Sequence, residues 1–394
     1  MTENLAPLFL LDPAVTFLNH GSYGACPRPV FAEYQRWQLQ LERQPVAFLD
    51  PARGLTSWLR AGRTALATEL GADPDDLVAV TNATEGLNIV AQSLDLRPGD
   101  EILTTDHEYA ALEKTWDYIC RKTGARIVTV KVPMPLTSEK AFTETLLAGF
   151  TLRTRVLFLS HITSATALVF PIENAVAHAR ARGIWTVIDG AHTPGHIPLN
   201  LDTLGADFYS GNCHKWLMAP KGSAFLHVRR ALQPLINPVV ISHGWTPDPT
   251  APGPFGNTRF IDMLEMQGTR DPAAFLTVPT AIAFRQQHDW PMVATACRHL
   301  VQDTAARVRA LTGLPALSSP EFCAPQMVAM PVTPCDPKAL QQTLLDRYNI
   351  EIPCFTWADH TVVRVSAQGY NTQKHMDHLI TALTELLPGL SAKT

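Results

Sequence analysis

The sequence is poor in the features that mark nucleic-acid, membrane or disulfide-bonded proteins. Its seven cysteines (Cys26, Cys120, Cys213, Cys297, Cys323, Cys335 and Cys354) lie far apart, with no C-x-x-C pair. That odd, scattered set reads as reduced thiols in a cytoplasmic protein. No Lys/Arg block occurs and the net charge is −4, so neither nucleic acid nor a membrane surface is expected as a partner. The N-terminal stretch MTENLAPLFLLDPAV has no basic leader. Its apolar run of about five residues reads as neither a signal peptide nor a membrane span. Internal repeats and low-complexity stretches are absent. No G-x-G-x-x-G or G-x-x-x-x-G-K-[ST] follows a strand pattern, which excludes the usual nucleotide-binding loops.

What the chain does have is length and alternation. It holds 394 residues, 46% of them hydrophobic, enough for one domain of roughly 250 residues and a smaller one of about 100. Between about 56 and 230, strand-length apolar runs alternate with helix-length amphipathic segments. The strands are expected at 77–81, 101–105, 126–130, 155–160, 184–188, 206–210 and 223–228. Helical patterns lie at 85–95, 109–122 and 172–182, the last closed by Gly183. Such alternation implies a mostly parallel sheet covered on both faces. The Pro- and Gly-rich segment 231–258 reads as an irregular excursion, followed by long helical patterns at 272–288 and 290–312. We divide the chain into a large domain, 15–275, and a small one, 276–394, joined by residues 1–14.

Three segments carry chemistry. Lys215, in SGNCHKWLMAPKGSAFL, follows a strand end among small and polar residues; alone, it reads as one surface lysine among many. Asp189 ends the apolar strand GIWTVIDGAH, and carboxylates at the C-terminal ends of parallel strands face the ligand crevice. A carboxylate there is suited to hold a pyridine nitrogen protonated, although a turn Asp before Gly190 is the simpler reading. TNATEGLN (81–88) follows a strand and opens a helix. Its first-turn N–H groups, with Asn82, Ala83, Thr84 and Glu85, suit a phosphate, or form a plain N-cap on Asn82 or Thr84.

Together these make a constellation: a phosphate cup, an acid at a strand end, and a lysine 26 residues later. Here the chain resembles the class V branch of the fold-type-I pyridoxal-phosphate (PLP) enzymes. The resemblance rests on NATEG (82–86), DGAH (189–192), GNCHKW (211–216), QGT (267–269) and VRVSAQGYN (363–371), in order along nearly the whole chain. NHGSYG (19–24), DHEYAALEKTW (106–116) and SHITSATALVFPIE (160–173) look most like the isopenicillin N epimerase-like group. That likeness implies a mostly parallel seven-stranded sheet between helices and a smaller α+β C-terminal domain.

It also implies roles. Lys215 would hold the cofactor through its amine and shuttle the substrate α-proton; Asp189 would pair with the pyridine nitrogen. Asn82, Ala83, Thr84, Asn212 and His214 would hold the phosphate. Thr269 would reach it from a partner subunit, implying a homodimer with shared sites. Tyr109 would stack on the cofactor and serve as a catalytic acid, with His107 the alternative; His192, and Thr163 or Ser164, would lie near the phenolic oxygen. Arg364 would bind the substrate α-carboxylate through a bidentate fork. Asn19, His20, Gly21, Ser22 and Tyr23 would line the substrate mouth.

Bland readings stand beside several of these. Tyr109 also fits a helix-face aromatic, and Arg364, in V-R-V-S, a solvated strand residue. His192 and His196 have an H-x-x-x-H spacing, but Pro194 and Gly195 break any helix between them and no third ligand is evident, so no metal is expected. Trp116, Trp185 and Trp216 read as core.

The implied activity is amino-acid epimerisation through removal of the α-proton. The alternative is carbon–sulfur β-elimination from an S-substituted cysteine or a cysteine S-oxide conjugate, as in a hercynylcysteine sulfoxide lyase. Cysteine desulfuration needs a nucleophilic Cys on a mobile loop, whereas Cys354 lies in the apolar run NIEIPCFTW and R-x-G-x-x-C is absent. A PLP-binding protein without catalysis is a further class, disfavoured by the joint presence of Lys215, Asp189 and Arg364.

Overall fold

The structure, a computed structural model, describes residues 5–391. Residues 1–4 and 392–394, the two extremities of the expected small domain, lie outside the described residues. A short strand β1 (Thr16–Phe17) precedes a seven-stranded sheet. The sheet is built from β2 (Leu77–Val80), β3 (Glu101–Thr105), β4 (Arg126–Val130), β5 (Thr154–Ser160), β6 (Trp185–Asp189), β7 (Phe208–Asn212) and β8 (Ala224–Val228). Its order is β2-β8-β7-β6-β5-β3-β4. From β4 through β7 every pairing is parallel, while β8 is antiparallel to both of its neighbours.

The sequence explains this arrangement. The central strands are near-continuous apolar runs buried on both faces, as parallel strands under helices must be. The edge strand β4 instead exposes Arg126 and Ile127, and a charged edge discourages pairing with another chain. The chain passes from β3 outward to β4, then returns to β5 on the other side of β3. Ligand crevices open at the C-terminal ends of strands where the order reverses in this way. Thr105, Ser160, Asp189 and Asn212 all end strands on that edge, with Ser160 directly opposite Asp189 in register.

Two expectations shift. The strand expected at 206–210 runs from Phe208 to Asn212. Asp207 stands outside it because its carboxylate accepts the Thr186 N–H at 3.0 Å and pairs with Arg229 at 2.8 Å. The helix expected over 272–288 is broken into Ala273–Leu276 and Val278–Gln287. Pro279 has no N–H to give and its ring collides with the carbonyl a turn earlier, so the first helix ends at Leu276.

The C-terminal part holds β9 (Met327–Val332), β10 (Ile350–Glu351), β11 (Cys354–Trp357) and β12 (His360–Ser366). An antiparallel sheet of order β11-β12-β9 is backed by the helices Trp290–Thr312 and Pro337–Tyr348, on which Gln373–Ser391 packs in turn. β10 pairs in parallel with β1, which ties the N-terminal segment to this part. One apolar core runs without interruption from Leu66, Leu159 and Tyr209 to Val363 and Leu379. β12 brings Arg364 to the crevice, and Asn19 bridges to Ser366 at the end of that strand. Among the described residues, no helix is long and apolar enough to cross a membrane.

Candidate active site

The crevice deepens into a cavity of about 480 Å³. One wall is the turn after β2. There Asn82 caps the helix Ala83–Ser93: its Oδ1 accepts the Glu85 N–H at 2.9 Å, and Glu85 accepts the Thr81 N–H at 2.6 Å and the Thr81 hydroxyl at 2.5 Å. The arrangement is related to a capping box, with Glu85 reaching back to Thr81, one residue before the N-cap. The Ala83 N–H donates to Asn212 Oδ1 at 2.9 Å. Asn82, Ala83 and Asn212 line the cavity, with Asn82 Oδ1 and the Ala83 N–H partnered within the chain. Thr84 lines the cavity at the positive end of the helix. Facing it is His214, nine-tenths buried, whose Nδ1 has no hydrogen-bond partner. Burial, and then the Lys215 charge, draw the His214 imidazole down to about 4.

Lys215 and Asp189 share the cavity wall. Asp189 is buried with one hydrogen bond, accepted from the Ala191 N–H at 2.8 Å. Burial pushes its carboxyl up, and a cationic N–H beside it would reverse that effect. Burial lowers the Lys215 ammonium to about 7, with the Arg364 charge adding to the effect and Asp189 opposing it. The Lys215 Nζ lies 2.9 Å from His192 Nε2, and His192 Nδ1 accepts the Trp216 indole N–H at 3.3 Å. His196 is held by backbone groups on both ring nitrogens. Its Nδ1 faces the His192 carbonyl at 3.1 Å and its Nε2 accepts the Gln326 N–H at 3.1 Å.

The third wall comes from the N-terminal segment and the turn after β5, with Arg364 of the small sheet behind it. Arg364 is buried and donates from Nη1 to the Ser164 carbonyl and hydroxyl, and from Nη2 to the Ser22 hydroxyl at 3.0 Å. Ser22, Tyr23, Ser164 and Tyr109 line the cavity. Three residues expected at the substrate mouth do not. His20 is fully buried, its Nδ1 against the Tyr370 hydroxyl at 2.9 Å and its Nε2 against the Lys215 carbonyl at 3.0 Å. Asn19 Nδ2 donates to Glu351 at 3.1 Å, while its Oδ1 accepts the Ser22 hydroxyl at 2.5 Å. Gly21 is packed so tightly that a Cβ would stand 2.8 Å from Met327 Sδ and Ser366 Oγ.

Other expectations separate as clearly. Tyr109 lines the cavity, whereas His107 is buried against Phe170 and Trp357 with Nδ1 on the Thr166 hydroxyl at 2.8 Å. Thr163 turns its hydroxyl to Thr166 at 2.7 Å. Thr269 lines a different cavity, with His243 and Met266; its own chain does not bring it to Lys215. Three residues were not anticipated. Lys221 lines the cavity and donates to the Gly24 carbonyl at 3.0 Å. Ser160 lines it beside Asp189. Glu108 is buried behind Ser160, accepting its N–H at 2.8 Å and its hydroxyl at 2.7 Å. Each lies in or next to a motif of the resemblance: Lys221 in the KWLMAPKG run of Lys215, Glu108 in DHEYAALEKTW and Ser160 at the head of SHITSATALVFPIE.

These residues fit pyridoxal phosphate. A primary amine of lowered proton affinity, a buried carboxylate with spare lone pairs and an orphaned imidazole nitrogen near a helix N-terminus match its aldehyde, pyridine nitrogen and phosphate.

The comparisons agree. Residues 27–379 match the family Aminotransferase class-V. The chain is 38% identical over 385 residues to the isopenicillin N epimerase of Amycolatopsis lactamdurans, covering 95% of this chain and 96% of that one. It is 36% identical to the isopenicillin N epimerase of Streptomyces clavuligerus, covering 96% of each chain. An L-cysteine desulfhydrase of Arabidopsis thaliana is 27% identical, over 95% of this chain and 88% of that one. Among solved structures, the cysteine desulfurase CsdA of Escherichia coli superposes with a TM-score of 0.81 at 22% identity, covering 98% of both chains. A mutant of C-DES with glycine linked to its PLP cofactor superposes with a TM-score of 0.78 at 22% identity, over 97% of this chain and 98% of that one. The seven-stranded sheet, the lysine–carboxylate cavity and the family match lead to one conclusion: the chain belongs to the class V aminotransferase family of pyridoxal-phosphate-dependent enzymes.

Proposed function

We propose that the protein is an amino-acid epimerase of the isopenicillin N epimerase kind, in which Lys215 removes the α-proton and Tyr109 returns one from the other side. The observation that carries this reading is a triangle of groups. Lys215 and Tyr109 line one cavity, and Arg364 stands behind its wall, bonded to the cavity-lining Ser22 and Ser164. A substrate held by its α-carboxylate on Arg364 would set its α-carbon between an amine and a phenol. The epimerase relatives at 36 to 38% identity support the same assignment.

Ser22 and Ser164 hold the Arg364 fork in place, so the carboxylate would meet it bidentately. Bound pyridoxal phosphate supplies the electron sink that makes the α-C–H bond acidic. Asp189 would hold the pyridine nitrogen and His192 would face the phenolic oxygen. Thr84, Asn212 and His214 would hold the phosphate. Asn82 and Ala83 would act indirectly, by fixing the helix end and Asn212. A general base needs a proton affinity near the working pH, and the lowered Lys215 amine meets that requirement.

Thr269 would reach the phosphate of a second copy, making the active unit a homodimer. In support, Val239, Val240, Ile241 and Trp245 are exposed, close in sequence to Ser242 and His243, which share a cavity with Thr269. Seven free cysteines support a reducing, cytoplasmic compartment.

A second reading, carbon–sulfur β-elimination, is favoured by the L-cysteine desulfhydrase relative. It uses the same Lys215, with Tyr109 protonating the departing sulfur. Desulfuration is disfavoured because Cys354 is buried in β11 and burial pushes its thiol up to about 12.

The deciding experiment incubates the protein with amino acids and S-substituted cysteines in deuterated water. Chiral chromatography, α-deuterium content and pyruvate release are followed together. Inversion with α-deuterium uptake is expected. Pyruvate from an S-substituted cysteine without inversion of any amino acid moves the assignment to the lyase. The absence of both α-deuterium exchange and pyruvate release with every amino acid overturns both readings.

A further inference from the structure

Trp216 is fully buried beside Lys215, its indole between the rings of His196, stacked at 3.8 Å, and His20, tilted at 5.0 Å. Its Nε1–H is aimed at His192 Nδ1, 3.3 Å away. An indole N–H can only donate, so Nδ1 must accept. A neutral imidazole that accepts at Nδ1 carries its hydrogen on Nε2, the atom 2.9 Å from Lys215 Nζ. An imidazolium would set a second hydrogen on Nδ1 directly against the indole hydrogen.

We propose that Trp216 is a positioning residue: it locks His192 as the neutral Nε2–H tautomer, so that His192 donates to the Lys215 amine and cannot take a proton from it. The proposal rests on reading Lys215 as the cofactor lysine. Its consequence is a division of labour. Lys215 can accept that hydrogen only through the lone pair of a neutral amine, so the contact favours the neutral lysine, and the proton it later takes up has no imidazole to pass to.

The surroundings act in the same direction. The charges bearing on His192 are Lys215, Arg364, His196 and His214, all of which oppose an imidazolium, and burial is the largest effect. Asp189, the one acid that acts on Lys215, favours the ammonium but does not offset burial.

The test uses Trp216→Phe, which keeps a ring between His20 and His196 and removes the donor. Nitrogen NMR on cofactor-free protein labelled at histidine reads the tautomer, with the His192 signal identified by its loss in His192→Ala. Wild type is expected to carry the hydrogen on Nε2; a hydrogen on Nδ1 in the wild type overturns the proposal without any variant. Trp216→Phe is expected to show mixed tautomers. In parallel, the pH dependence of covalent capture of pyridoxal phosphate reads the Lys215 amine. Its midpoint is expected near 7 in wild type and about one pH unit higher in Trp216→Phe, a tenfold change in proton affinity. In a His192→Ala background the Trp216 substitution should add no shift. An equal shift there reduces Trp216 to packing and sinks the idea. If no pyridoxal phosphate is captured, the cofactor reading fails, while the tautomer measurement still decides this proposal.

Discussion

The Arg364 guanidinium donates to the Ser22 hydroxyl at 3.0 Å, joining residues 342 positions apart. Its other terminal nitrogen is held by Ser164, and its Nε has no partner. Among the described residues no carboxylate lies within ion-pair distance of it. A buried cation held only by neutral groups is unfavourable unless an anion completes it, and burial lowers Arg364 to about 10. Arg364→Lys keeps the charge and loses the fork. We expect KM for an amino-acid substrate to rise roughly tenfold to a hundredfold, as the loss of a charge-assisted bidentate contact implies. The effect should vanish for a substrate whose α-carboxylate is replaced by an amide. An unchanged KM would place the carboxylate elsewhere.

Lys215 is the one amine of the cavity next to both Asp189 and His192; Lys221 points to the Gly24 carbonyl instead. Borohydride reduction of the holoenzyme should therefore fix the cofactor on a single peptide, the one containing Lys215. Lys215→Ala should leave no reducible adduct, although the remaining cavity should still hold pyridoxal phosphate more weakly. Peptide mass spectrometry after reduction checks both. Labelling on the Lys221 side, or none, contradicts the assignment.

How much of this was legible beforehand depends on the range of the contact. The sheet was readable because burial on both faces writes itself into strands such as RVLFLS as the apolar run VLFL. Lys215 and Asp189 were readable because each stands at a strand end within a short local pattern. What stayed hidden is long-range hydrogen bonding. Nothing near Ala83 announces that its N–H is taken by Asn212, 129 positions on. His20 stands in a mouth-like motif, NHGSYG, yet its imidazole is drawn under the floor by Tyr370, 350 positions away. Trp216 reads as core and is core by burial, but its single polar atom reaches His192. Composition conveys that a tryptophan is buried and says nothing of where its N–H points.

Cys354 separates desulfuration from the other chemistries. It pairs with Val363 in the small sheet, is buried, and does not line the cavity. Cys354→Ala should leave turnover unchanged and cost about 1 kcal/mol of stability through the small void it opens. A desulfurase would instead lose turnover altogether and cease to carry a persulfide detectable by mass spectrometry. Steady-state assay and denaturant unfolding of the same variant read the two effects separately.

Glu108 should tilt the stability of the protein against pH. It is buried behind Ser160, with no cation in an ion pair with it among the described residues. Its donors are the Thr105 hydroxyl at 2.7 Å and the Ser160 hydroxyl and N–H at 2.7 and 2.8 Å. Burial, with Asp189 adding to it, raises its carboxyl from 4.5 to about 8. A carboxyl whose folded value is raised binds its proton more tightly in the native state. Its contribution is therefore fully present below the unfolded value of 4.5 and is lost as pH climbs towards the folded value of about 8. Within that window the native state holds one more proton than the unfolded chain, so stability falls at up to about 1.4 kcal/mol per pH unit. Glu108→Gln stays neutral throughout and lacks this slope. The amide keeps one acceptor for Ser160 and can turn its NH₂ to Thr105, so the variant should fold. Other carboxylates titrate alike in both proteins and cancel in the comparison. Urea unfolding across the window should show the variant gaining on wild type steadily as pH rises. Parallel curves would mean that Glu108 is ionised in the native state, held by its three donors alone.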